Sequence, residues 1–149
     1  MIEIRKADIK DVPFITACSK EAFEDYIAII GKEPEPMLLD YKEILQKDHA
    51  FVACEGESLA GYITLKYGVE KYMWLDILAV SKAFKGRGIG GKLIAFAEKY
   101  MREQGMKGSI LYTHVKYEHI QSIYKHYGYE IYDRVQEKGY DRYYMKKTL

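Results

Sequence analysis

Four glycines fall within six residues of the stretch FKGRGIGGKL, Phe84 to Leu93, and what flanks them restricts the fold more than any other feature of the chain. Upstream, MWLDILAV is an apolar run of strand length. Downstream, Ile89, Leu93, Phe96, Ala97 and Tyr100 recur at helical spacing to about Gln104, where Gly105 supplies a stop. SILYTH is the next strand-like run. A strand, a tight turn, a helix and a second strand make a crossover, which joins neighbours that run parallel. Glycines in such a turn carry no Cβ, so the first helical amides, which lack intrahelical partners, lie open to a ligand at the positive end of the helix dipole. Lys85 and Arg87 add mobile positive charge at the edge. The spelling fits a nucleoside-triphosphate loop, a dinucleotide fingerprint, a coenzyme A loop, or a turn that merely connects.

The flanks discriminate among these. A nucleoside-triphosphate loop places Ser or Thr after its Lys to ligate magnesium, but Leu93 follows Lys92, and SILYTH offers no acid as a second ligand. A dinucleotide site has a doubly wound sheet and an acid at the end of the next strand for the ribose, where Thr113 and His114 stand instead. A merely connecting turn leaves the entropic cost of four glycines without a purpose. A diphosphate held without magnesium is the best fit.

Elsewhere the chain alternates short strands and amphipathic helices. IEIRKA is a first strand, and Asp8 caps a helix whose third position is Asp11, with Pro13 in the first turn. Val12, Ile15, Cys18, Ala22, Tyr26 and Ile29 form one apolar stripe, which predicts a helix to about Ile30. GKEPEP interrupts it and MLLDYKEILQ restarts a shorter helix. HAFVACE and SLAGYITLKYG pair as a hairpin through EGES, EHIQSIYKHY is a helix stopped at Gly128, and YEIYDRVQ and YDRYYMKK close as a pair around Lys138 and Gly139. The order β-α-α-β-β-β-α-β-α-β-β is an α+β plan, and 149 residues predict a single domain.

Composition excludes several function classes. No segment approaches the roughly 20 apolar residues of a membrane helix. The start, MIEIRKADIKDV, lacks the apolar core of a secretory signal, so a cytoplasmic location is expected. The 23 basic residues are interleaved with 22 acidic ones, net charge +1, which argues against a nucleic-acid surface. Cys18 and Cys54 sit in core-like patterns without Cys-x-x-Cys spacing or clustered histidines, so neither a disulfide nor a metal site is expected.

Taken together, the residues resemble the GNAT superfamily of N-acetyltransferases over nearly the whole chain. LAVSKAFKGRGIGGKLI is similar to the acetyl-CoA signature of that family, with Lys85 in its Gln/Arg place and Gly88 and Gly90 in its glycine places. IYKHYGYE is similar to a later family block, with Tyr124, Gly128 and Tyr129 at its fixed points, and the opening IEIRKADIKDV also matches. IGKEPEPM, LLDY, ILYT and the tail EKGYDRYYMKK resemble a group of bacterial members, which often carry Asn where this chain has His114 and Ile120. The resemblance implies a mixed, mostly antiparallel seven-stranded sheet, splayed between its fourth and fifth strands and covered by helices on both faces. It implies that Lys85, Gly86, Arg87, Gly88, Ile89, Gly90 and Gly91 hold the coenzyme A diphosphate, and that Leu78 and Val80 pair by backbone with the pantetheine arm.

Moving an acetyl group from a thioester to a primary amine asks for a neutral amine, a donor to the developing oxyanion and a proton for the leaving thiolate. Tyr124 suits the last role, since a phenol stays protonated at pH 7 and is a weaker acid than a thiol. A backbone N–H near Leu78 or Ala79 suits the second. Asp76, the one ionisable group of MWLDILAV, is placed by alternation on one face with Trp74, Leu78 and Val80; it is a candidate base, a binder of a cationic substrate, or a backbone cap. His114 and His119 are competing bases. The acceptor, a small-molecule or peptide amine, is expected between the first two helices and the last hairpin, against Tyr26, Glu35, Met37, His114 and Tyr143. A coenzyme-binding module without chemistry is the alternative, and the tyrosine-rich last strands offer an edge for a homodimer.

Overall fold

The structure, a computed structural model, describes all 149 residues. Its seven strands are β1 (Ile2–Lys6), β2 (His49–Glu55), β3 (Ser58–Tyr67), β4 (Tyr72–Val80), β5 (Gly108–His114), β6 (Glu130–Glu137) and β7 (Tyr140–Thr148). They form one sheet in the order β1-β2-β3-β4-β5-β7-β6, antiparallel throughout except between β4 and β5. The helices are α1 (Val12–Phe23), α2 (Ile27–Ile30), α3 (Tyr41–Lys47), α4 (Ile89–Glu103) and α5 (Glu118–His126). The α+β plan and the crossover through α4 are as the sequence predicts. No helix is long and apolar enough to cross a membrane, and no group of His, Cys, Asp or Glu is arranged to hold a metal.

Helices cover both faces and divide the core. On one face Leu93, Ile94, Ala97 and Met101 of α4 bury against Ile63, Leu65, Met73 and Leu75; on the other Ile15 and Cys18 of α1 and Tyr41 of α3 bury against Val52, Tyr62, Ile77 and Ala79. Both cysteines are buried and unbonded. Asp8 caps as expected. Its side chain accepts from Lys10 N–H while Asp11 reaches back to Asp8 N–H, but this closes a 3-10 turn, Ile9–Asp11, that leads into α1.

The first helix does not run unbroken to Ile30. After Phe23 the chain tightens into a 3-10 turn over Glu24–Tyr26 and resumes as the four-residue α2, which Gly31 ends at φ +79°. A tighter turn rotates the apolar stripe, so Ile29 emerges 44% exposed instead of joining the core.

Two irregularities in the middle of the sheet position the site. Thr64 pairs with Ile77 and Leu65 with Leu75, so Asp76 is an extra residue without a partner on β3, a β-bulge. The bulge reverses the alternation: Met73 and Leu75 belong to the α4 core, Ile77 and Ala79 to the α1 core. The shared face expected for Asp76, Leu78 and Val80 is therefore wrong, since Leu78 and Val80 pack toward α4. The second irregularity is the splay. Pairing of β4 with β5 covers only Tyr72–Trp74 against Gly108–Ile110, while β5 stays paired with β7 through His114. Beyond Trp74 a wedge opens between β4 and β5.

Candidate active site

The glycine loop leaves β4 through a 3-10 turn, Lys82–Phe84, closed by Lys85 N–H donating to Lys82 O at 3.3 Å. Gly86 and Gly88 then take left-handed conformations, φ +78° and +74°, that L-residues enter at a cost. The amides of Gly86, Arg87, Gly88, Ile89, Gly90 and Gly91 donate to no backbone oxygen; the first amide used is that of Lys92, which donates to Gly88 O at 3.1 Å. A Cβ at Gly86 or Gly88 would meet nothing within 4 Å, so the open side of the loop faces free space. Six consecutive free amides at the N-terminus of a 15-residue helix form an anion cradle.

Three residues of the expected loop take other parts. The Lys85 amide is spent on the 3-10 turn, so its contribution is the ammonium group. Arg87 is not mobile charge but pairs with Glu55 and lies over the Phe84 ring. A Cβ at Gly91 would stand 2.4 Å from Tyr127 Oη, so this glycine lets α4 approach the end of α5.

The wedge supplies the next element. Ser81 N–H donates to Ala60 O at 2.8 Å. Alternation along β4 then turns the amide of Ala79 toward β3 and aims the N–H and C=O of Leu78 and Val80 into the wedge. Of the three residues read from the sequence, Leu78 and Val80 keep free backbone groups for an added strand; Ala79 does not.

A cavity of about 310 Å³ continues from the wedge between the α1 face and the last hairpin. Leu78 and Tyr124 line it where it meets the wedge. Tyr124 packs edge-on to Tyr129, and burial alone pushes its phenol well above the ordinary value, so the group is protonated. Asp76 lines the cavity with its side chain 9% exposed. Burial raises its carboxyl above the ordinary value, against the pull of Lys66 Nζ at 3.6 Å, and neighbouring Asp48 and Glu35 push the same way as burial.

Of the expected acceptor-wall residues, Glu35 and His114 line the cavity, whereas Tyr26, Met37 and Tyr143 do not. Tyr26 stands one layer back, its ring 4.3 Å from that of Tyr117, which does line it. Tyr143 is on the other side of β7, near Arg134, because alternation turns Tyr140 and Arg142 inward. Glu35 accepts from Tyr112 Oη at 3.2 Å and from Arg142 Nη2 at 3.4 Å. Arg142, 5% exposed, also meets Glu137 at 3.1 Å and lies 4.0 Å over the Tyr112 ring. His114 is a poor base: its Nδ1 accepts from Lys116 N–H at 3.1 Å, which leaves the neutral ring's proton on Nε2, and burial lowers its pKa. His119 is exposed and outside the cavity. Arg142, Tyr112, Asp48 and Lys66 were missed by sequence reasoning. The one usable signal was the alternation of Tyr140, Arg142 and Tyr144, which marks an arginine on an aromatic strand face.

A family model, the Acetyltransferase (GNAT) family, matches residues 15–129. The chain belongs to that family. It is 28% identical over 105 residues to N-alpha-acetyltransferase 30 of Schizosaccharomyces pombe, covering 68% of this chain and 67% of that one. Among solved structures, the PaiA N-acetyltransferase of Thermoplasma acidophilum in complex with coenzyme A superposes with a TM-score of 0.80 at 25% identity, covering 100% of this chain and 99% of that one. Ard1 of Thermoplasma volcanium superposes at 0.76, with 20% identity over 99% and 98% of the two chains. The GNAT chain is an N-acetyltransferase that uses acetyl-CoA, and its free amides, glycine-rich loop and open wedge fit that coenzyme.

Proposed function

We propose that this GNAT enzyme transfers the acetyl group directly to a primary amine while coenzyme and acceptor are bound together. The observation that carries the reading is the continuity of the wedge with the cavity, Leu78 and Tyr124 lining the junction and Asp76 the cavity wall. Bound acetyl-CoA supplies the activated acetyl thioester. The six free amides and Lys85 hold the diphosphate, and the outward C=O of Leu78 and N–H of Val80 pair with the arm as a strand edge pairs with an added strand. Leu78 N–H, beside the bulge, is the donor for the developing oxyanion. Asp76 takes the proton from the incoming ammonium, since burial has made it a stronger base than an exposed carboxylate while Lys66 pulls toward its ionised form. Tyr124 gives its phenolic proton to the departing sulfur, and the phenolate takes back the second proton that the acetylated nitrogen sheds as it becomes an amide.

The test is Tyr124→Phe in an amine-panel assay with acetyl-CoA binding measured in parallel. Turnover falls on the order of a hundredfold, as for loss of a general acid, and coenzyme affinity holds. Unchanged turnover removes Tyr124 from the reaction. A parent that binds acetyl-CoA but acetylates no amine is instead a coenzyme-binding module.

A further inference from the structure

Two segments 107 positions apart meet across the acceptor cavity. Pro34, Glu35 and Pro36 line it from one side; Lys138, Tyr140 and Arg142 line it from the other. Lys32 Nζ donates to Gly139 O at 2.5 Å and lies 3.9 Å over the Tyr140 ring, Tyr140 Oη donates to Glu33 O at 2.9 Å, and Arg142 pairs with Glu35. Each strut is anchored. Gly31 turns the first segment sharply out of α2, Pro34 and Pro36 restrict it, and Tyr41 Oη donates to Pro36 O. The second segment is the turn of the β6–β7 hairpin, with Lys138 and Gly139 at φ +52° and +79°.

We infer that this bridge makes the acceptor a small free amine taken in whole, because the struts join the two walls of the cavity and a polypeptide laid between those walls would have to displace them. The inference rests on the transferase reading above and adds the class of acceptor to it. Size agrees: about 310 Å³ is at the small end of ligand pockets, which run from roughly 300 to 1,000 Å³. The three carboxylates of the lining, Glu35, Asp48 and Asp76, are matched by three cations, Lys66, Lys138 and Arg142, so its charges balance and its size sets the limit on the acceptor.

The test compares kcat/KM for small aliphatic amines, diamines, amino sugars and free amino acids with values for tetrapeptides bearing a free N-terminus or an internal lysine. The best small amine exceeds every peptide on the order of a hundredfold. Lys32→Ala removes a strut whose side chain does not line the cavity; it raises peptide turnover and leaves small-amine turnover unchanged, and adding Tyr140→Phe narrows the ratio further. Peptides used as well as small amines by the parent, or a ratio unmoved in both variants with melting temperatures at parent level, overturn the inference while the transferase reading stands. A parent that acetylates neither class removes both.

Discussion

Replacing Gly88 with alanine separates the two demands on the glycine loop, backbone conformation and ligand approach. Gly88 has φ +74° and open space where a Cβ would project. Alanine there costs about 1–2 kcal/mol for the left-handed conformation, which for a chain of 149 residues lowers Tm by about 3–6 °C. The added methyl also stands on the open side of the six free amides. In the parent, acetyl-CoA at a hundredfold excess over its Kd adds about 2.7 kcal/mol, a rise of about 8 °C at about 3 °C per kcal/mol. If the methyl weakens binding about a hundredfold, the same concentration contributes about 0.4 kcal/mol and a rise of about 1 °C. Gly105→Ala is the matched control: φ +76°, again nothing within 4 Å, but at the far end of α4, on the order of 20 Å away. It lowers Tm as much and keeps the full coenzyme-induced rise. Differential scanning fluorimetry with and without acetyl-CoA reads both numbers. A Gly88→Ala variant that keeps the full rise, or a Gly105→Ala variant that loses it, refutes the assignment of the free amides to the coenzyme.

Three further outcomes are expected. Asp76 has a folded pKa raised above its ordinary 3.8 chiefly by burial, so the acid limb of kcat/KM lies above the usual carboxylate range; Lys66→Met removes the cation that opposes the shift and moves the limb to higher pH, and a downward move or none contradicts Asp76 as base. The same raised value means that the folded chain binds this proton more tightly than the unfolded one, so Asp76 destabilises increasingly as pH rises from its ordinary value through its folded one. Asp76→Asn therefore raises Tm at pH 7 more than at pH 4, in paired melts. Gly91→Ala sets a methyl against Tyr127 Oη, the tip of a side chain, and displacing it offsets the roughly 1 kcal/mol that alanine gains over glycine inside a helix; adding Tyr127→Phe, which removes the clashing oxygen, raises Tm above that of Gly91→Ala alone, and no rise places the strain elsewhere.

Much of the fold was legible because it is written in short-range periodicity. The apolar alternation of MWLDILAV, the helical spacing of Ile89, Leu93 and Ala97, and the glycines between them are decided within about twenty residues, and so was the crossover. The break after Phe23 was not, because the apolar spacing of Tyr26 and Ile29 is equally compatible with a straight helix. The bulge at Asp76 left no mark either: the exposure of β4 alternates without a fault, and the reversal shows only in which core each side chain joins.

The candidate site divides in the same way. The sequence by itself determined the cradle, since amides free at a helix start follow from glycines at Gly86 and Gly88 and from the 3.6-residue repeat behind them, and it nominated Tyr124, Asp76 and Glu35. Only the tertiary structure decided what surrounds those groups. That β7 inserts between β5 and β6, that Arg142 closes on Glu35, and that Lys32 reaches Gly139 are matters of pairing between residues far apart in the chain. Such contacts depend on how sheets and loops pack after the local elements have formed, and no local run of residue types encodes them.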